Sequence, residues 1–211
     1  ALASLRLDTK LWNFDIYGEY GVKHNKDISN QISNGEEAKV GEGIYGNVSF
    51  YYGPFSISGE YKKYDNFSYQ SHDGTIQYNT PPSLTLDYSY ILLNRHPYPL
   101  NANNENGYQL SAIYNFTEDT YLTGNYSFTK SLGPDSYYQR FLGINIESRT
   151  QFEDLYFLFN HVWSANYESV LAFGYREELV TNTKSITPIL EGRYYFDDIN
   201  TLRFQDGTYR N

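Results

Sequence analysis

The chain of 211 residues carries a formal net charge of -9 and a sequence pI of about 4.9, and it has no basic patch of the kind a polyphosphate backbone requires, so nucleic acid is not expected as a partner. Cys 0 excludes disulfides, thiolate nucleophiles and thiolate metal sites. Mean hydropathy is -0.63 and the longest apolar run is Leu155 to Phe159, too short for a membrane-spanning helix; a strand-built span is not excluded, because alternating faces cancel in a hydropathy average.

Ala1 to Trp12 reads as a strand, with Leu5, Leu7 and Leu11 separated by Arg6, Asp8 and Lys10. After a turn at Asn13, Phe14, Ile16, Gly18, Tyr20 and Val22 alternate with Asp15, Tyr17, Glu19, Gly21 and Lys23. His24 to Glu42 is polar and turn-rich, hence a long loop. Strict alternation then returns on both sides of Gly53-Pro54. Ile44, Gly46, Val48 and Phe50 oppose Tyr45, Asn47, Ser49 and Tyr51, and Phe55, Ile57, Gly59 and Tyr61 oppose Ser56, Ser58, Glu60 and Lys62. A soluble sandwich would bury the apolar face, whereas a membrane barrel would show it to lipid.

Asp65 to Asp73 reads as a loop and Gly74 to Asn79 as a brief strand ending at Pro81-Pro82. Ser83 to Leu92 again alternates, with Leu84, Leu86, Tyr88, Tyr90 and Leu92 against Thr85, Asp87, Ser89 and Ile91, and predicts a strand. Asn94 to Asn106 predicts a second long loop, followed by a hairpin through Tyr108 to Phe116, a turn at Thr117 to Thr120, and Leu122 to Phe128. Further strands are expected at Phe141 to Ser148, Asp154 to Val162, Tyr167 to Arg176, Ser185 to Phe196 and Thr201 to Phe204, with short turns at Ser164 to Asn166 and Asp197 to Asn200. Three strands between the turns at Glu118 and Ala165 would place those turns on opposite sides. Either residues 131–153 form one long loop, or one short turn faces the loop side.

Short turns on one side and long loops on the other follow the layout of an outer-membrane barrel. The fold class expected is therefore all-β, an antiparallel transmembrane β-barrel of about ten to twelve strands, as one domain over residues 1–211 or a segment of a larger barrel. The chain starts at Ala1 and ends on Thr208-Tyr-Arg-Asn211 without a terminal aromatic residue, which leads to the expectation of a piece truncated at both ends.

Pro81 to Pro97, with Leu92-Leu-Asn-Arg-His-Pro97 as its most specific piece, and Asn101 to Gly107 resemble a segment of an uncharacterised Bacteroidota-type family of large, porin-like outer-membrane barrels. The resemblance is best over residues 40–130. It implies a location in the bacterial outer membrane, with lipid, lipopolysaccharide and other envelope proteins as partners, and it carries no catalytic residue and no cofactor.

The candidate pore-lining residues are the charges of the polar faces: Asp15, Glu19, Lys23, Glu60, Lys62, Asp87, Glu168, Arg176, Glu191 and Arg193. Alternatively these charges neutralise one another and fill a narrow interior. Arg95 and His96 are candidates for a loop constriction. His161 and Ser164 lie three residues apart, on opposite faces of a strand, so a hydrolytic pair is not expected. Asn101 to Gly107 has the oxygen donors of a calcium loop but one carboxylate, and its glycine falls one place late. His24 and His72 have no second ligand at metal spacing. Tyr51-Tyr52, Tyr137-Tyr138 and Tyr194-Tyr195 are placed at strand ends as interfacial anchors.

Three functions fit this reading. The first is passage of small polar solutes. The second is a closed barrel that anchors an envelope complex, and the third is a secreted β protein that binds carbohydrate.

Overall fold

Alternation of apolar and polar residues is realised as a single ten-stranded sheet in the order β1-β2-β3-β4-β5-β6-β7-β8-β9-β10, every pair antiparallel. The structure is a computed structural model that describes residues 1–24, 40–68, 81–86, 88–90, 93, 101, 103–178, 182–197 and 200–207. The strands are β1 Leu2–Leu11, β2 Phe14–His24, β3 Val40–Tyr52, β4 Phe55–Asp65, β5 Asn104–Thr117, β6 Thr120–Lys130, β7 Thr150–Ser164, β8 Tyr167–Glu178, β9 Thr183–Tyr195 and β10 Thr201–Gly207. Among the described residues one helix, α1 Tyr137–Leu142, lies between β6 and β7. Among the described residues the sheet is not closed: β1 pairs with β2 alone and β10 with β9 alone.

The registers put all the apolar series on one face. Leu7 opposes Gly18, Gly18 opposes Gly46, Val48 opposes Gly59, and Gly59 opposes Leu110. Leu122 then opposes Phe159, Phe159 opposes Leu171, and Leu171 opposes Leu190. This face stands open, with Leu5 75%, Leu171 57% and Leu190 56% exposed. The polar face is the covered one, where Lys62, Glu105 and Ser127 are 0% exposed. Burial is inverted relative to a water-soluble sheet, in which each exposed Leu or Phe forgoes about 1.5–3 kcal/mol of transfer free energy.

The connection between β4 and β5 supplies the cover. The described residues of 81–93 cross the polar face without forming the predicted strand, and Leu84, Tyr88, Tyr90 and Leu93 are buried there. Of the predicted apolar face, Leu84, Tyr88 and Tyr90 are pressed against the sheet without ladder pairing, whereas Leu86 is 38% exposed. Pro81-Pro82 at its start lack the amide donors a ladder needs. Likewise, the strand expected over Phe141 to Ser148 is replaced by the end of α1 and an extended segment. The brief strand at Gly74 to Asn79 lies outside the described residues.

With 131–149 as one connection, only β6 and β7 separate the turns at 118–119 and 165–166. The strand ends joined by the short turns at 12–13, 53–54, 118–119 and 165–166 and by the β9–β10 connection then share one side, and the strand ends joined by the longer connections, together with those of β8 and β9, share the other. The conflict in strand parity is resolved in favour of the long loop. Gly53, with φ of 54°, takes the left-handed conformation that its two-residue turn requires.

Helix α1 is held to the loop end of β4 by a carboxylate. Asp65 accepts from the backbone amides of Tyr137 (3.0 Å) and Tyr138 (2.9 Å), and the Ser136 side chain caps Gln139. These groups satisfy the donors a helix start leaves open. Tyr137-Tyr138 therefore belong to the helix, not to a strand end. Asp65→Ala is expected to weaken this docking by about 1 kcal/mol, read as faster hydrogen exchange at the Tyr137 and Tyr138 amides while the strand amides stay protected.

Candidate functional site

The polar face divides into two parts. Over the short-turn half of β1 to β4 it is uncovered, and its charges meet one another within and across strands. Arg6 pairs with Asp8 at 3.5 Å, and Lys10 with Asp15 at 3.3 Å. Such exposed pairs contribute about 0.2–1 kcal/mol each. Arg6 also lies over the Tyr17 ring, 4.8 Å from its centroid. The Tyr17 hydroxyl donates to Glu19 (2.9 Å) and that of Tyr45 to Glu60 (2.7 Å), and the two rings are 5.7 Å apart. Asn47 Nδ2 donates to Ser58 Oγ at 3.1 Å beside them. This wall is hydroxylated and acidic, and Glu19 is exposed.

From the loop half of β4 to β9 the face is sealed. Lys62 on β4 and Glu105 on β5 form an ion pair with no exposure on either side chain. Lys62 Nζ donates further to the Pro82 carbonyl at 2.9 Å. On β7 and β8, Arg176 Nε donates to Asp154 Oδ1 at 3.0 Å. The Tyr88 hydroxyl, from the covering segment, donates to the same carboxylate and accepts from Asn125 Nδ2 at 3.1 Å. Gln109 Nε2 donates to Asn125 Oδ1 at 2.8 Å, which extends the chain to β5. Burial first, and then the Asp154 carboxylate, push the Tyr88 phenol well above its ordinary range, so it stays a donor.

The cover is seated in depressions that glycines leave in the sheet. A Cβ at Gly21 or Gly43 would meet the Phe67 ring at 2.6 Å or 2.7 Å. A Cβ at Gly107 would lie 3.0 Å from Leu84 Cδ1, and one at Gly174 would run into Leu93 Cδ2. Tyr88, Tyr90 and Leu93 then pack with Tyr156, Val170, Ala172 and Ile189 as the apolar core of the molecule. The Tyr88 and Tyr156 rings are 4.1 Å apart.

A third cluster sits toward the β10 edge. Arg193 Nη1 meets Glu168 at 2.6 Å and its Nε meets Glu191, which also receives Arg203 Nε at 2.7 Å. The Tyr195 hydroxyl donates to Glu168 at 2.7 Å.

The charges singled out in the sequence thus fall into different environments. Asp15, Glu19 and Glu60 stand on the uncovered wall, while Glu168, Glu191 and Arg193 form the β8–β9 cluster. Lys23, Lys62 and Arg176 are buried and engaged, Lys23 through the Ser68 carbonyl at 2.9 Å. Asp87, Arg95 and His96 lie outside the described residues. His72 does too.

The sequence reading missed Glu105, Asp154, Asn125 and Arg203. Glu105 belonged to the supposed calcium loop, yet Asn104 to Gly107 open β5 and its carboxylate is taken by Lys62 and the Asn101 amide. Asp154 was legible, since it alternates with Leu155 in the same way as the other polar-face charges. His161 Nδ1 shares a hydrogen bond with Thr120 Oγ1 (2.7 Å), and Ser164 Oγ accepts from the Asn166 amide.

Among known families, the profile described as Family of unknown function (DUF6029) matches residues 1–206, and the chain belongs to that family. That description carries neither an activity nor a location. No curated protein matches the chain.

Proposed function

We propose that this DUF6029 chain forms part of a transmembrane β-barrel of a bacterial outer membrane, through which small polar solutes pass along the polar face. One observation carries the reading: on every strand the outward series is mainly apolar and stands open, whereas most of the charged side chains project from the opposite face. Lipid is the environment that makes this arrangement favourable.

The boundaries of the apolar band support it. Toward the loops, the outward face ends in ionic residues, with Lys63 paired to Glu42, Lys184 to Glu177 at 3.1 Å, and Glu153 accepting from Tyr126 at 2.9 Å. Toward the turns it ends in Trp12, Phe116, Trp163 and Phe196, all exposed. Tyr51-Tyr52 and Tyr194-Tyr195 lie at the same end, where interfacial aromatics belong. On β5, Tyr108 to Phe116 cover about 27 Å of strand, or about 20 Å of depth at a tilt of about 40°, near the ~25 Å apolar band of such barrels. An open sheet edge is not tolerated in hydrocarbon. The reading therefore requires the β1 and β10 edges to be paired, with each other or with further strands.

Single-channel recording from folded, detergent-purified protein in a planar bilayer tests it. Stepwise currents whose ion selectivity changes in Glu60→Gln or Arg193→Gln are expected. Silence from protein shown to be folded would instead favour a closed barrel that anchors other envelope proteins. The sealed Lys62–Glu105 and Asp154–Arg176 pairs favour that second reading.

A further inference from the structure

Two inward glycines, Gly107 on β5 and Gly174 on β8, face Leu84 and Leu93 of the segment laid over them, and Gly21 and Gly43 on β2 and β3 face Phe67 of the same connection, whereas at Gly18, Gly46 and Gly59 on the outward face of β2, β3 and β4 a Cβ would find at most one atom within 4 Å. The sheet is hollowed where that connection lies against it. We propose that the described residues of 81–93 form an internal plug that occupies the β4–β9 half of the passage and leaves the short-turn half of the β1–β4 wall as the resting route. This inference rests on the passage reading above.

The chemistry of the seat distinguishes a plug from an ordinary core. The charges beneath it are already neutralised between strands, Lys62 by Glu105 and Arg176 by Asp154. Withdrawal of the plug would therefore uncover a wall of paired ions and amides, not orphaned charges. The plug itself contributes two polar anchors to these pairs, the Pro82 carbonyl on Lys62 and the Tyr88 hydroxyl on Asp154. Its other buried contributions are largely apolar: Leu84 and Leu93 in their glycine seats and the Tyr90 ring against the core. Water can replace both polar anchors, and the glycine seats set the position.

The absence of cysteine in the chain allows a clean test. In Gly174→Val, the new side chain takes the seat of Leu93 within a strand that valine suits. Its conductance per channel is expected to rise several-fold over the parent. In the double variant Leu93→Cys, Gly174→Cys, a Cβ at 174 lies 3.6 Å from the Cγ position of Leu93, where a sulfur would stand. Oxidation is expected to prevent any such rise and dithiothreitol to permit it.

Currents that are equal in the parent, in folded Gly174→Val, and in the cross-linked and reduced double variant would overturn the plug while leaving the passage intact. Silence in all of them, with folding shown by heat-modifiable electrophoretic mobility, would remove the passage and the plug together.

Discussion

Leu110→Arg is expected to lower the stability of the bilayer-folded protein by about 2–4 kcal/mol, whereas Ser58→Arg, on the uncovered polar face, should cost about 1 kcal/mol, the worth of the hydrogen bonds it accepts from Asn47 and Ser49. The contrast is sharp because Leu110 is 47% exposed. In water, arginine at so open a position would be nearly neutral, since its charge stays hydrated and its stem covers apolar surface. In hydrocarbon the same guanidinium must be drawn to an interface or neutralised, and Leu110 sits within the outward series from Tyr108 to Phe116. Reversible urea unfolding in lipid vesicles measures the difference. Val48, paired with Gly59 beside Leu110, should behave as Leu110 does. Equal effects at Leu110 and Ser58 would remove the membrane assignment.

The second large effect is expected at Glu105→Gln. Its carboxylate is fully buried against Lys62, and the amide takes away the counter-charge that this ammonium meets in the sealed part of the sheet. Removal of one partner of a buried pair commonly costs about 3–5 kcal/mol. The Pro82 carbonyl, which also accepts from Lys62, cannot neutralise the charge. Glu105→Gln combined with Lys62→Met should recover most of the loss, because the desolvation of both charges is removed together. Chemical denaturation of the single and double variants gives the coupling. A single variant as stable as the parent would show that water reaches the pair, and would contradict the seal described for the covered half.

The strand faces were legible because a barrel or sheet wall with two different environments imprints a period of two on the chain. Leu5 to Leu11, Phe14 to Val22, Ile44 to Phe50 and Phe55 to Tyr61 all carry that imprint, and each became a strand with its apolar members outward. The short turns at Gly53-Pro54 and Glu118-Asp119 were equally clear from their residue types.

Two segments misled, each for an identifiable reason. Among the described residues that follow Ser83, Leu84, Tyr88 and Tyr90 are buried by docking onto a surface rather than by pairing with a strand, and Leu86 stays exposed, so their alternation in the sequence imitated a strand that does not form. At Phe141 to Ser148 the alternation of Ile144 and Ile146 competed with a helix that depends on Asp65, which lies more than seventy residues earlier.

The chain's own pattern thus determined that strands build it, that the strands have one apolar and one polar face, and where the tight turns fall, because each is a local property of a few adjacent residues. Which polar-face charges are buried, which remain on an open wall, and which glycines are seats for a plug were decided by the tertiary structure alone. Lys62 and Glu60 are two residues apart on the same face of β4, yet one is sealed beneath Pro82 and paired with Glu105 while the other meets a tyrosine hydroxyl on the uncovered wall. The difference lies in what a distant connection lays over each of them, and desolvation by a distant segment leaves no mark on the local sequence.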